Sequence, residues 1–98
     1  MNQYITRVEL HAATESDYEK LHLEMAKKGF SRSIVSDGGE TYRLPTAEYS
    51  FTGHQPLNEV HDLALRGARE VKSDPWVLTI QVQATRFNLQ LSRTLLRR

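Results

Sequence analysis

The stretch ATESDYEKLHLEMAKKGF, residues 13–30, carries both ends of a helix in its own residues. Thr14 is suited to an N-cap with Asp17 three residues on, acids crowd the first turn, Lys27 and Lys28 close the last, and Gly29 stands where a helix ends on a left-handed residue. Tyr18, Leu21 and Met25 fall on one face of that helix. Such an amphipathic helix needs an apolar surface to cover, and the residues on either side of it supply strands. Before it, YITRVEL alternates, with Tyr4, Thr6, Val8 and Leu10 on one face and Ile5, Arg7 and Glu9 on the other. After it, FSRSIV and TYRLPTAEYSF read as two strands joined by a turn at Ser36 to Glu40, in which Gly38 and Gly39 are free to take positive φ. Pro45 removes one ladder donor from the second of these, which predicts an edge, a bulge or a break there.

A second helix follows in TGHQPLNEVHDLALRGAREVKSDP. Pro56 suits its first position, and Leu57, Val60, Leu63, Ala64, Ala68 and Val71 form its apolar stripe. Asp74-Pro75 ends the segment. WVLTIQVQA then alternates again, with Trp76, Leu78, Ile80, Val82 and Ala84 on one side. The order is β-α-β-β-α-β. It predicts an α+β, ferredoxin-like fold: one four-stranded antiparallel sheet with two helices on one face, over residues 1–84 as a single domain. Residues 85–98 are then a basic C-terminal extension, read as a tail or a short helix because Phe87, Leu91 and Leu95 also suit a helix face.

With 98 residues the chain surrounds one core, and with no cysteine it has neither a disulfide framework nor a thiolate metal site, as a reducing cytoplasm would allow. No stretch has the length or the apolar run of a signal peptide or membrane span, so a cytoplasmic protein without membrane contact is expected. The formal charge of +1 hides an asymmetry. Residues 75–98 hold 4 arginines and no acid, whereas the 9 basic and 12 acidic residues before them give a net negative charge. A basic end of this kind is able to meet RNA phosphates or an acidic partner.

Four histidines, His11, His22, His54 and His61, stand in this cysteine-free chain. A pair of them at the right separation can act as base and acid in RNA cleavage without a metal, activating the 2′-hydroxyl and protonating the leaving oxygen. His22 and His61 suit that role best because both flank helix faces that meet the sheet. The plain alternative for each is a helix-surface or loop histidine. No two histidines have the i, i+4 spacing of a helical zinc pair and no carboxylates cluster, so neither a metal nor another cofactor is expected. The sequence SDGGET supplies what a tight turn requires and lacks the helix start of a phosphate loop. Arg7 and Arg32, with Tyr42 or Phe30 nearby, could form an RNA-binding sheet surface; equally, they could be the polar side of a sheet, paired with Glu9 or Glu48.

The segment GFSRSIVSDGGETYRLPTAEYSF, behind DYEKLHLEMAKKGF, resembles the GhoS family, the antitoxins of the type V toxin–antitoxin system. The likeness lies in a tyrosine-containing first strand, a helix closing on Met25 with Phe30-Ser31 behind it, then Ser33-Ile34-Val35 and an acidic turn, and a return strand with Leu44-Pro45, Tyr49 and Phe51. It runs from about residue 3 to residue 82. The resemblance implies a ferredoxin-like domain, related in plan to small CRISPR-associated nucleases, that cuts the messenger RNA of a membrane-damaging toxin peptide. It also implies a cleavage role for basic residues on the first helix, at positions held here by Lys20 and His22 in place of arginines. Lysine keeps the charge without the bidentate grip, and histidine is mostly neutral at pH 7. Leu10 and His11 stand where the CRISPR-associated proteins carry a metal-binding acid.

Two hypotheses follow. In the first, the chain is an endoribonuclease antitoxin that works without metal on single-stranded RNA: Lys20, Arg7, Arg32 and Arg43 hold phosphates, and His22 with His61 moves the proton. In the second, it is a phage- or plasmid-borne accessory protein that binds RNA or a protein partner without turnover. Neither hypothesis distinguishes a monomer from a homodimer.

Overall fold

The computed structural model describes residues 1–91. Its elements run β1 (Asn2–Glu9), α1 (Glu15–Lys27), β2 (Ser33–Val35), β3 (Thr41–Arg43), β4 (Glu48–Gly53), α2 (Leu57–Arg69) and β5 (Trp76–Val82). The ends of α1 are those the sequence predicts. Thr14 is extended, its hydroxyl accepts from the Asp17 amide at 3.2 Å, and the Asp17 carboxylate accepts from the Thr14 amide at 2.9 Å. These two bonds form a capping box and satisfy amides that the first turn leaves without helical partners. At the other end Gly29 takes φ +97° and the Phe30 amide reaches back to the Met25 carbonyl at 3.0 Å. A side chain at Gly29 would be strained by that φ and would meet the Phe51 ring at 3.2 Å, so this chain reversal depends on glycine.

The main sheet has three strands in the order β4-β1-β5, all antiparallel. Tyr4, Thr6 and Val8 of β1 are buried on one face, where they meet a core of Leu21 and Met25 from α1 and Val60, Ala64 and Ala68 from α2. The two helices touch where Met25 crosses Gly67, whose missing side chain leaves the Met25 sulfur 3.1 Å from where a Cβ would sit. The Tyr4 hydroxyl, buried beneath α2, donates to the Gln55 carbonyl. Leu57, assigned by its spacing to the apolar stripe of α2, is 41% exposed, because it opens the helix beyond the reach of the sheet.

The predicted single four-stranded sheet does not form. β2 pairs with β3 in a separate two-stranded sheet, Ser33 opposite Arg43 and Val35 opposite Thr41. The cause lies between β3 and β4, where Pro45 offers no amide hydrogen and Ala47 adopts φ +70°. A Glu48 amide to Pro45 carbonyl bond of 3.0 Å closes the turn. The return strand is thereby split, so that β4 joins β1 while β3 stays with β2. The hairpin is tied to the main sheet by one backbone bridge, Ser31 opposite Ser50, with amide–carbonyl bonds of 2.9 and 2.8 Å in the two directions, and by the Ser50 hydroxyl, which donates to the Ser33 carbonyl at 2.6 Å. Beyond it the Arg32 carbonyl turns away to accept from the Leu44 amide at 2.8 Å, which ends the pairing.

Trp76, Leu78 and Ile80 do share a face, and it is the open face of the sheet. They are 65%, 58% and 52% exposed, whereas Val77 packs against the core. Residues 85–91 form no helix. They run extended to the hairpin, where the Arg43 amide donates to the Gln90 carbonyl at 3.0 Å, Leu91 bridges Tyr42, and the Phe87 and Tyr42 rings lie 5.1 Å apart. The rest of the segment read as a tail or short helix over 85–98, residues 92–98, lies outside the described residues. Among the described residues, no helix is long and apolar enough to cross a membrane.

Candidate active site

His22 lies on the flank of α1 that faces β4, one residue after the buried Leu21. Its Nδ1 is 2.7 Å from the hydroxyl oxygen of Tyr49, a residue of β4 that is 1% exposed. A buried tyrosine needs a partner for its hydroxyl, and here the partner is the imidazole. The two rings lie 5.8 Å apart at 59°. Burial raises the Tyr49 pKa well above its ordinary value, against the opposing field of Arg32, so this phenol stays protonated throughout the neutral range.

The His22 pKa is lowered. Burial is the main cause, and the positive charges of Arg32 and Arg43 add to it against the opposing Glu19 carboxylate. Arg32 enters through the turn behind the Ser31–Ser50 bridge and Arg43 through the last position of β3, so it is the hairpin, displaced from the main sheet, that brings these charges to α1. Arg32 is half-buried, and its Nε is buried with no hydrogen-bond partner. The group comprises an imidazole bonded to a phenol and lying within the field of two arginines. Those are the parts needed to hold a phosphodiester and to accept a proton beside it.

Of the residues singled out by sequence, Arg32 and Arg43 are the ones whose positive charges act on His22. Lys20 is two residues from His22, about 200° around the helix, and lines the groove that α1 forms with Glu70 and Val71. His61 stands on the β5 side, its Nδ1 2.9 Å from the Thr79 hydroxyl, which lies 2.8 Å from that of Thr6. The width of β1 separates it from Tyr49, about 10 Å across two strand spacings. Arg7 is on the open face, opposite Glu48 in the β1–β4 register. His11 is held by the Asp74 carbonyl at 2.9 Å and the edge of Trp76, and His54 is exposed. The Ser36–Glu40 segment is a turn closed by its own bonds, Ser36 amide to Glu40 carbonyl at 2.8 Å and Gly39 amide to Ser36 carbonyl at 2.9 Å. Among the described residues, no three histidine, aspartate or glutamate side chains gather in a group able to hold a metal ion.

Tyr49 is the residue that sequence reasoning missed. In AEYSF it alternates with the core residue Phe51, and only the need of a buried hydroxyl for a partner marks it out.

Two antiparallel sheets and two helices, with a histidine–tyrosine bond in the field of two hairpin arginines, make this an α+β protein with a candidate site between α1, β4 and the hairpin. The family model described as endoribonuclease GhoS matches residues 1–85, and the chain belongs to the GhoS family. A comparison with curated proteins found no match.

Proposed function

We propose that the chain is an endoribonuclease antitoxin that cuts single-stranded RNA, the message of a toxin peptide, by transfer to the neighbouring 2′-oxygen and without a metal ion. The observation that carries this reading is the His22–Tyr49 bond flanked by Arg32 and Arg43 in a chain of the GhoS family. In the tautomer the reaction needs, His22 Nδ1–H donates to the Tyr49 oxygen and Nε2 keeps its lone pair. Nε2 then removes the proton from a ribose 2′-hydroxyl, whose oxygen attacks the adjacent phosphorus; the P–O5′ bond breaks, leaving a 2′,3′-cyclic phosphate, and the departing 5′-oxygen takes its proton from water. Arg32 and Arg43 bind the non-bridging oxygens, whose charge grows in the transition state. The lowered pKa keeps His22 unprotonated near pH 7, as a base requires. Lys20 and Arg7 extend the contact to phosphates further along the strand. The basic tail does the same, and His61 supports the β5 side of the core. A ferredoxin-like ancestry for the 3+2 arrangement and a cytoplasmic location belong to the same reading.

A non-catalytic second reading, RNA binding without turnover, draws on the separation of His61 from His22, which leaves the base without a histidine acid beside it. One experiment separates the two. Purified protein is incubated with end-labelled, AU-rich single-stranded RNA in EDTA, beside His22→Ala and Arg32→Ala. Cutting in EDTA that is lost in His22→Ala supports the first reading; RNA that is bound and left intact by the wild-type protein establishes the second.

A further inference from the structure

From the outer edge of β5, we infer that two copies of this chain pair across a two-fold axis through Thr79, joining their three-stranded sheets into one of six strands. β5 is the last strand of its sheet, and among the described residues no backbone hydrogen bond reaches its outer side. Natural edge strands are protected by lysine, proline, a bulge or a short length. Residues Trp76 to Val82 contain no charge, no proline and no glycine, and extend over seven residues. Three of the exposed large apolar side chains, Trp76, Leu78 and Ile80, stand on this one strand.

The occupant is a second copy because the strand complements itself. Antiparallel pairing centred on Thr79 sets Leu78 opposite Ile80 of the partner subunit and Trp76 opposite Val82 of the partner subunit, so each open-face apolar residue meets another. No charge is enclosed. Beyond the strand ends the register sets Asp74 opposite Ala84 of the partner subunit and Arg86 opposite Lys72 of the partner subunit, so the flanking charges are of mixed sign and the apolar centre carries the pairing. A seven-residue strand is about 24 Å long, and the molecule is 20 Å in its smallest extent. The contact therefore covers about 500 Å² per copy, near the lower bound for a specific interface, so a weak, concentration-dependent dimer is expected. The His22 site lies at β4, the opposite edge strand of the three-stranded sheet, and stays open in such a dimer. This inference does not depend on the RNA reading.

The test is sedimentation velocity of the full chain between about 1 and 300 μM, a span chosen for a weak dimer, with fluorescence of Trp76, the chain's only tryptophan, recorded over the same range. The expected result is a shift from monomer to dimer accompanied by a blue shift of the emission. Leu78→Lys and Ile80→Lys, both at exposed positions and checked for an unchanged thermal midpoint, raise the dissociation constant about tenfold or more. Because the chain has no cysteine, Leu78→Cys mixed with Ile80→Cys reads the register directly, and the mixture cross-links faster than either alone. A monomer at every concentration with constant emission overturns the inference. A dimer that survives both lysine variants also overturns it, since the contact is then elsewhere.

Discussion

Replacing Tyr49 with phenylalanine removes one oxygen atom and leaves the ring packing of a 1% exposed residue in place, so the change reads the His22 bond alone. A neutral intramolecular hydrogen bond contributes about 1 kcal/mol net, with a range of about 0.5–1.5. His22 is only half-buried, so water can take up its freed nitrogen, and the loss stays within that range. For a domain of this size, 1 kcal/mol lowers the thermal midpoint by roughly 4–8 °C, measurable by circular dichroism beside urea denaturation. If the same bond of about 1 kcal/mol holds the imidazole in its reactive orientation, cleavage slows about fivefold, while RNA affinity, governed by the arginines, is unchanged. A merely structural role would not move the tautomer, and nitrogen-15 spectra of the imidazole read it: the proton sits on Nδ1 in the wild-type protein, and the Nε2–H form grows in Tyr49→Phe. Equal stability and equal cleavage in the variant, or a wild-type imidazole protonated on Nε2 with Tyr49 donating to Nδ1, would refute the reasoning.

Arg32→Ala weakens single-stranded RNA binding and lowers the slope of log affinity against log salt by about 0.7, because one phosphate is no longer neutralised; Arg32→Lys restores the slope and not the cleavage, because the ammonium lacks the planar fork. The folded-state pKa of His22 lies below its ordinary value of 6.5, so the unfolded chain binds the proton first as pH falls. The stability due to neutral His22 is full above pH 6.5 and is lost progressively as pH drops through the lowered folded value, and the slope of unfolding free energy in that window flattens in His22→Ala. Met25→Ala, at a fully buried position where α1 crosses α2, costs about 2–5 kcal/mol in urea denaturation. Thr14→Ala removes the hydroxyl of the capping box and costs about 1 kcal/mol.

Much of the chain's local structure was determined by residues within one turn or one strand of each other. Thr14 and Asp17 start α1 and Gly29 stops it because capping bonds and a left-handed φ are local requirements. The alternation of Tyr4, Thr6 and Val8 assigns a buried face to β1 for the same reason, a period of two along an extended backbone. The GhoS family was also legible, carried by the hairpin and the end of the first helix. Pro45 announced a break in the return strand, but a missing amide says where pairing fails and not which strands then find each other.

Tertiary structure decided the rest. Only the assembled sheets send β4 to β1 and leave β3 with β2, since that choice depends on contacts between segments far apart in sequence. Trp76, Leu78 and Ile80 share a face by their spacing, yet which face meets the helices depends on the register with β1, and that register turns them outward. The site followed the same rule. His22, Arg32 and Arg43 drew attention as residue types able to move protons and bind phosphate, and Lys20, Arg7 and His61 drew the same attention. Helix phase, sheet face and strand order then separated the two sets, and supplied in Tyr49 the one partner whose role exists only because its hydroxyl is buried beside an imidazole from another element.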